Sequence, residues 1–287
     1  MDTKTFAVIG GDLRFAHLAS QLCRDGYTVF AACLDNAREF TGSAVMSDAV
    51  TAAAMAETVI LPIVPVNALG MVSAPYSNNT QEYNAQFCSA LRDSVVFSGM
   101  PERLRSTAEH IRDLKIRDYS SRESFIVRNA QATGEGVIAC AIERMPVTLC
   151  GSVCAVTGFG RTGRFTAQLL NAFGAHVIVA ARSENDLAWA RASGYEAIHL
   201  HALPSRASAL GLIVNTVPAG IIGENLMSRL SKDCIIIDIA SAPGGVDTYA
   251  AARLGIRCFN EPGLPGRYSP VTAAGIIKDT VLAMLDE

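Results

Sequence analysis

The sequence predicts an α/β protein built from two doubly wound parallel-sheet domains. Short uninterrupted apolar runs such as TFAVIG, SVCAVT, HVIVAA and CIIIDI read as strands buried on both faces, the pattern of parallel sheets. The runs at Thr5 and Val153 each lead through a glycine turn into a segment with apolar residues at helical spacing. That strand-turn-helix opening occurs twice, and 287 residues suit about two domains of ordinary size.

The first opening is a strand from Thr5 to Gly10, a turn Gly11-Asp12-Leu13-Arg14, and a helix with Phe15, Leu18, Ala19 and Leu22 on one face. Gly26 closes that helix and Thr28 to Ala32 forms the next strand. No third glycine follows Gly10 and Gly11 at the spacing a dinucleotide needs, so this half predicts a related fold without its own dinucleotide. Thr58 to Val64 is a further strand, with Pro62 and Pro65 pulling its end out of the ladder. Asn67 to Thr80 is a polar loop over the carboxyl edge of the sheet, and Val95 to Ser98 is a short strand ending at Gly99. Ser120 to Met145 predicts a bridging helix, capped by Ser120 or Ser121 and ended by Pro146. Inside it, Asn129, Thr133, Gly134, Glu135 and Gly136 put two glycines where a plain helix disfavours them, which suggests a hinge or a site.

The second opening carries the chemistry. Gly158-Phe159-Gly160-Arg161-Thr162-Gly163 has the spacing G-x-G-x-x-G, between the strand Val153 to Thr157 and a helix with Phe165, Leu169, Leu170 and Phe173 at helical spacing. The first glycine permits the turn, the second lets a diphosphate approach, and the third lets the helix pack on the sheet. The N–H groups opening that helix face the anion. The strand His176 to Ala181 completes a Rossmann-like β-α-β unit, set against the alternative of a plain strand-turn-helix. An NAD site would place an acid near the end of that strand, whereas this chain has Ala181-Arg182-Ser183, with Arg182 24 residues beyond Gly158. A guanidinium binds a 2′-phosphate and a carboxylate repels it, so NADP is expected rather than NAD. Glu184 and Asp186 are the acids that would favour NAD if the chain shifted by a residue or two. Thr216-Val217-Pro218, after the strand Leu212 to Thr216, is expected to border the nicotinamide ribose. Asp238 ends the strand Cys234 to Ile239 and is expected at the same edge.

The expected domains are 1–146, with the bridging helix; 147–265, the dinucleotide domain; and 266–287, a C-terminal helix near Val271 to Leu285 returning to the first domain across a cleft. A formal net charge of -3 gives no basic footprint for nucleic acid or an anionic membrane. Eight cysteines form no C-x-x-C pair and mostly sit in apolar runs, the pattern of free thiols in a reducing cytoplasm. No metal-ligand pattern occurs. Of the five histidines, only His17, one turn past Arg14, stands out.

Domain order and the bridging helix resemble the D-2-hydroxyacid dehydrogenases, but the catalytic residues of that family are missing. Asp238-Ile239-Ala240-Ser241-Ala242 has Ser241 where those enzymes carry arginine, and Ser269-Pro270-Val271 lacks their histidine. Four motifs in order, AVIGGDLR, Asn129 to Gly136, DIASAPGGVD and GLPGRYSPVTAAG, resemble the A-subunit family of dipicolinate synthase over nearly the whole chain. The resemblance implies an NADP-linked oxidoreductase. It would convert a dihydro- or hydroxytetrahydro-dipicolinate to pyridine-2,6-dicarboxylate in the mother cell of a sporulating bacterium. The flavodoxin-like B subunit of dipicolinate synthase is the implied partner, and a homo-oligomer is expected. A planar dicarboxylate calls for cations and a base. Arg14 and Arg267 are the candidate carboxylate partners, and Glu135 is the candidate acid/base. Gly11, Asp12, Asn129, Thr133 and Ser241 complete the expected substrate contacts. Two rival readings are a non-catalytic NADP-binding subunit for a flavin partner and a reductase of another hydroxy or oxo acid.

Overall fold

The computed structural model describes residues 4–107 and 109–287. The chain divides into two compact units, Met1–Asn129 with Ser269–Glu287, and Ala130–Tyr268.

The first unit holds a six-stranded parallel sheet of β1 (Thr5–Ile9), β2 (Thr28–Ala32), β3 (Val45–Met46), β4 (Thr58–Ile60), β5 (Val95–Ser98) and β6 (Ile116–Asp118). Their order is β3-β2-β1-β4-β5-β6, so the winding reverses between β1 and β4. Ligands of such sheets bind outside the carboxyl ends at that reversal. Its helices are α1 (Leu13–Arg24), α2 (Ala49–Met55), α3 (Ala85–Ala90) and α4 (Pro101–Thr107). Phe15, Leu18 and Leu22 of α1 are buried as their spacing predicts.

Next comes α5 (Glu123–Arg144), whose residues from Ala130 onward belong to the second unit. That unit repeats the plan with β7 (Val153–Thr157), α6 (Arg161–Ala172), β8 (His176–Ala181), α7 (Glu184–Ala192), β9 (Glu196–His199), β10 (Leu212–Asn215), α8 (Glu224–Met227), β11 (Ile235–Asp238), α9 (Thr248–Leu254), β12 (Arg257–Asn260) and α10 (Leu264–Tyr268). Its strand order β12-β11-β10-β7-β8-β9 reverses between β7 and β10. The last helix, α11 (Pro270–Leu285), belongs to the first unit and packs along α1. There Gln21 Nε2 donates to the Val271 carbonyl at 2.8 Å and Lys278 pairs with Asp25.

Three expectations change. β4 stops at Ile60, ahead of Pro62, rather than reaching Val64. The bridging helix runs unbroken through its two glycines. A Cβ at Gly136 would meet Leu264 Cβ at 2.7 Å and one at Gly134 would meet Leu169 Cδ1 at 3.0 Å, so both glycines serve close packing. The division between units falls within α5 rather than at residue 146, because Val137, Ile138, Cys140 and Ala141 are buried in the core of the second unit. Among the described residues no helix is long and apolar enough to cross a membrane.

Candidate functional site

The carboxyl edge of the second sheet gathers most of the expected cofactor residues. Beyond β7, Gly158 turns the chain with a φ of +86°, a conformation glycine adopts without strain. A Cβ there would lie 2.6 Å from Thr216 Oγ1, and one at Gly163 would lie 2.3 Å from the Gly158 carbonyl oxygen. The first turn of α6 is thereby pressed onto the strand end. Gly160 is different, because a Cβ on it would meet nothing within 4 Å. It is the N-cap of α6 and offers no side chain to the N–H groups that open the helix. An open cradle before the N-terminus of a twelve-residue helix fits the diphosphate of a dinucleotide. Arg161 and Thr162 form the first turn. Phe159 is buried, and its carbonyl accepts from Arg164 Nε at 3.0 Å while that guanidinium lies over the rings of Phe159 and Trp189.

At the end of β8, Ala181 is buried and Arg182 is exposed. Ser183 caps α7, accepting from the Asp186 N–H at 3.4 Å. Glu184 is occupied: one oxygen is 2.6 Å from His199 Nε2 and the other 3.8 Å from Arg191. Beyond Arg182 opens a cavity of about 680 Å³ lined by Leu200, Leu203, Pro204, Ile221 and Leu226, a size and lining suited to an adenosine.

Asp238 has another task than the one expected of it. Its carboxylate is buried and accepts from Asn215 Nδ2 at 2.8 Å, Ala240 N–H at 3.1 Å and Gly245 N–H at 2.9 Å. Asn215 in turn accepts from Thr157 Oγ1 at 2.6 Å and donates to the Val217 carbonyl at 3.0 Å. Both Asp238 oxygens are thus used in holding the segment 239–245 against the loop after β10, and Asp238 positions these loops. Thr216 likewise directs its hydroxyl to the Thr157 carbonyl at 2.8 Å. Val217 is half-buried, while Pro218 and Ser241 are exposed at the same edge. Thr157 and Asn215 were not singled out from sequence, since a lone threonine or asparagine at a strand end carries no signal until its neighbours are known.

Residues 5–119 match the N-terminal domain of the dipicolinate synthase A subunit. Residues 121–250 match the D-isomer specific 2-hydroxyacid dehydrogenase, NAD binding domain. Over 98% of this chain and 95% of its relative, the sequence is 30% identical to the dipicolinate synthase A subunit of Bacillus subtilis (strain 168). The chain belongs to the A-subunit family of dipicolinate synthase. The crystal structure of the dipicolinate synthase A subunit from Bacillus halodurans aligns over 100% of this chain and 99% of its own, with a TM-score of 0.89 at 27% identity. The corresponding crystal structure from Bacillus subtilis gives 0.85 at 29% identity, over 100% and 97% of the two chains. The transhydrogenase of Sinorhizobium meliloti, at 13% identity and a TM-score of 0.74, over 99% and 92%, shares the fold. With its dehydrogenase domain and open diphosphate cradle, this member of the dipicolinate synthase family is an NAD(P)-dependent oxidoreductase.

The expected substrate residues are less free than their sequence suggests. In the first unit, Arg14 is buried and forked onto Asp12, with Nε 2.8 Å from Oδ1 and a terminal nitrogen 2.6 Å from Oδ2. Burial pulls the Arg14 pKa down, but the Asp12 hydrogen bond and charge outweigh it and leave the guanidinium above its ordinary value. The Gly11 N–H donates to the Ser73 carbonyl at 2.7 Å. His17 packs on Phe40, and its pKa is lowered by burial and by Arg24. In the second unit, Arg267 pairs with Glu261 at 3.0 Å and Glu143 at 3.8 Å, and lies over the Tyr268 ring. Tyr268 donates to Glu143 at 3.0 Å, and burial first, then its bonds to Cys140 and Glu143, push its phenol up to about 12. Glu135 is exposed on α5, two turns from Glu143 and outside this ion network. Asn129 and Thr133 stand one turn apart on α5, on either side of the division between units.

Proposed function

We propose that this chain uses NADP to oxidise a dihydrodipicolinate, or the hydroxytetrahydro precursor after loss of water, to dipicolinate. The observation that carries the reading is the open, uncapped N-terminus of α6 followed by exposed Arg182, in a chain whose relatives are named for dipicolinate synthesis. From the dihydro compound the reaction removes one hydride and one proton, leaving the aromatic ring. NADP, when bound, supplies the hydride acceptor. The chain's own work is to hold the diphosphate on the α6 N–H groups and the 2′-phosphate on Arg182, and to keep Val217 and segment 239–245 in place through Thr157, Asn215 and Asp238.

For the proton, Glu135 is the proposed base. For a substrate carboxylate, Arg267 is the proposed anchor, and it would have to exchange Glu143 and Glu261 for the substrate. A flavodoxin-like B-subunit partner, a homo-oligomeric state and a place in the mother-cell cytoplasm of a sporulating bacterium belong to the same proposal.

The test is to give the purified chain the product of the upstream aldolase with NADP or NAD and to follow the ultraviolet bands of dipicolinate. Turnover with NADP by the chain alone supports the reading. Turnover only when a flavin partner is added supports instead a regulatory NADP-binding role. Glu135→Gln should lower kcat with little change in KM, because a base acts only as the proton moves. Wild-type kcat in that variant would place the base elsewhere.

A further inference from the structure

Two histidines stand beside Arg182 at the far end of the cradle. β8 pairs with β9 in a register that sets Ala181 opposite His199, so Arg182 lies next to the turn His199-Leu200-His201. The two imidazoles are stacked, with centroids 5.2 Å apart and planes 23° from parallel. His199 is held by Glu184 at 2.6 Å, and the stacking in turn orients His201, which is exposed and makes no hydrogen bond among the described residues. All three of Arg182, His199 and His201 line the adenosine-sized cavity.

Three carboxylates around this corner are already matched to cations. Glu184 of α7 faces His199 and Arg191, Glu224 of α8 pairs with Arg253 at 2.5 Å, and Glu196 of β9 pairs with Arg206 at 2.9 Å. Arg182 and His201 are left as the two basic side chains lining the cavity without a carboxylate partner among the described residues. A phosphate monoester is a dianion above its second ionisation near pH 6, so one guanidinium neutralises only part of it.

We infer that His201 is a second specificity-determining residue for the phosphate at the adenosine end, favouring NADP over NAD. The inference rests on the NADP reading above. An imidazole carries a ring N–H donor in either tautomer, so His201 can donate to a 2′-phosphate oxygen beside Arg182. NAD, with a hydroxyl in that place, gains less from it.

The experiment uses adenosine 2′,5′-bisphosphate and adenosine 5′-monophosphate, which probe the adenosine end without the nicotinamide. Each is titrated calorimetrically into the full chain. In His201→Ala the preference for the bisphosphate should fall about tenfold, the value of one hydrogen bond to a charged group, with monophosphate affinity unchanged as evidence of an intact fold. Arg182→Gln should also reduce the preference. A wild type with no preference would overturn the NADP reading and this inference with it. A preference that is undiminished in His201→Ala would overturn the inference alone.

Discussion

Where β1 runs into α1 and where β7 runs into α6, the same topology meets two different N-caps. In both, the strand ends at a glycine of positive φ, Gly10 at +71° and Gly158 at +86°, and the helix opens three residues later. Asp12 occupies the N-cap of α1 and Gly160 the N-cap of α6. Asp12 accepts the Arg14 N–H at 3.1 Å, and Ser73 takes the Gly11 N–H, so the anion position of the first turn is filled from within the chain. Gly160 brings no side chain, and the corresponding position of the second turn is open to a ligand. One fold thus serves in one unit as a self-satisfied scaffold and in the other as a cofactor cradle, and the difference is set by a few residues around each helix start.

The largest expected effect comes from breaking the internal anion. Asp12→Ala leaves the buried Arg14 guanidinium without its carboxylate and should cost about 3 kcal/mol of stability in denaturant unfolding, without creating a dinucleotide site. Adding Arg14→Leu should recover most of that loss. A single Asp12→Ala variant as stable as the wild type would show that the pair contributes nothing.

Steric tests come next. Gly163→Val drives a side chain into the Gly158 carbonyl, and Gly11→Ala puts a methyl 2.2 Å from the Phe15 ring at a φ of +94°. Each should cost about 2 kcal/mol by overpacking. Only Gly163→Val should also abolish NADP binding, measured by fluorescence quenching at a temperature where both variants are folded. Loss of binding in both would mean that the first turn contributes to the cofactor site.

The strand cores supply a pH test. Cys154 in β7 and Cys234 just before β11 are buried, and burial pushes both thiols up to about 12. In the unfolded chain a thiol ionises nearer pH 9, so the stability held by the neutral thiol is complete below that value and is lost as pH rises towards 12. Each thiol should approach a loss of about 1.4 kcal/mol per pH unit in that window, or on the order of 2 kcal/mol for the pair between pH 9 and 10. Cys154→Ala with Cys234→Ala should show a shallower alkaline decline in thermal melts, and an equal slope would assign the decline to other groups.

Much of this contrast was legible in the sequence, and what was not has physical causes. The runs VCAVT, HVIVAA and IIID announce central parallel strands because both their faces must be apolar, and the spaced glycines announce the turn, where Gly158 and Gly163 leave no room for a Cβ. The edge strands β3, β6 and β9 escaped notice. They are two to four residues long, and β9 reads EAIH, since an edge strand needs little apolar surface. The glycines of α5 suggested a hinge because their packing partners, Leu169 and Leu264, lie far along the chain. The same distance hid the charges. Nothing local in the sequence shows that Arg267 faces Glu143 across 124 positions, or that Asp238 holds Gly245 and Asn215. His199 and His201 looked scattered until the β8–β9 register set them beside Arg182.

The smallest expected change in stability is the most informative about function. Gly160→Asp would give α6 the N-cap that α1 already has, at a position with a φ of −72° and no atom within 4 Å of the new Cβ. Its carboxylate would accept from the first-turn N–H groups and lie favourably at the helix dipole, raising stability by only a few tenths of a kcal/mol, since glycine is itself a tolerable cap. The same carboxylate would occupy the place of the diphosphate and repel it, so NADP affinity should fall at least about a hundredfold, two charge-assisted contacts being lost. Paired thermal melts and NADP titrations would read the two effects separately. A variant that gains stability and loses the cofactor shows that the second turn is kept open for its ligand at the expense of its own cap. One that keeps NADP affinity would move the diphosphate away from the N-terminus of α6, and with it the basis for the contrast between the two units.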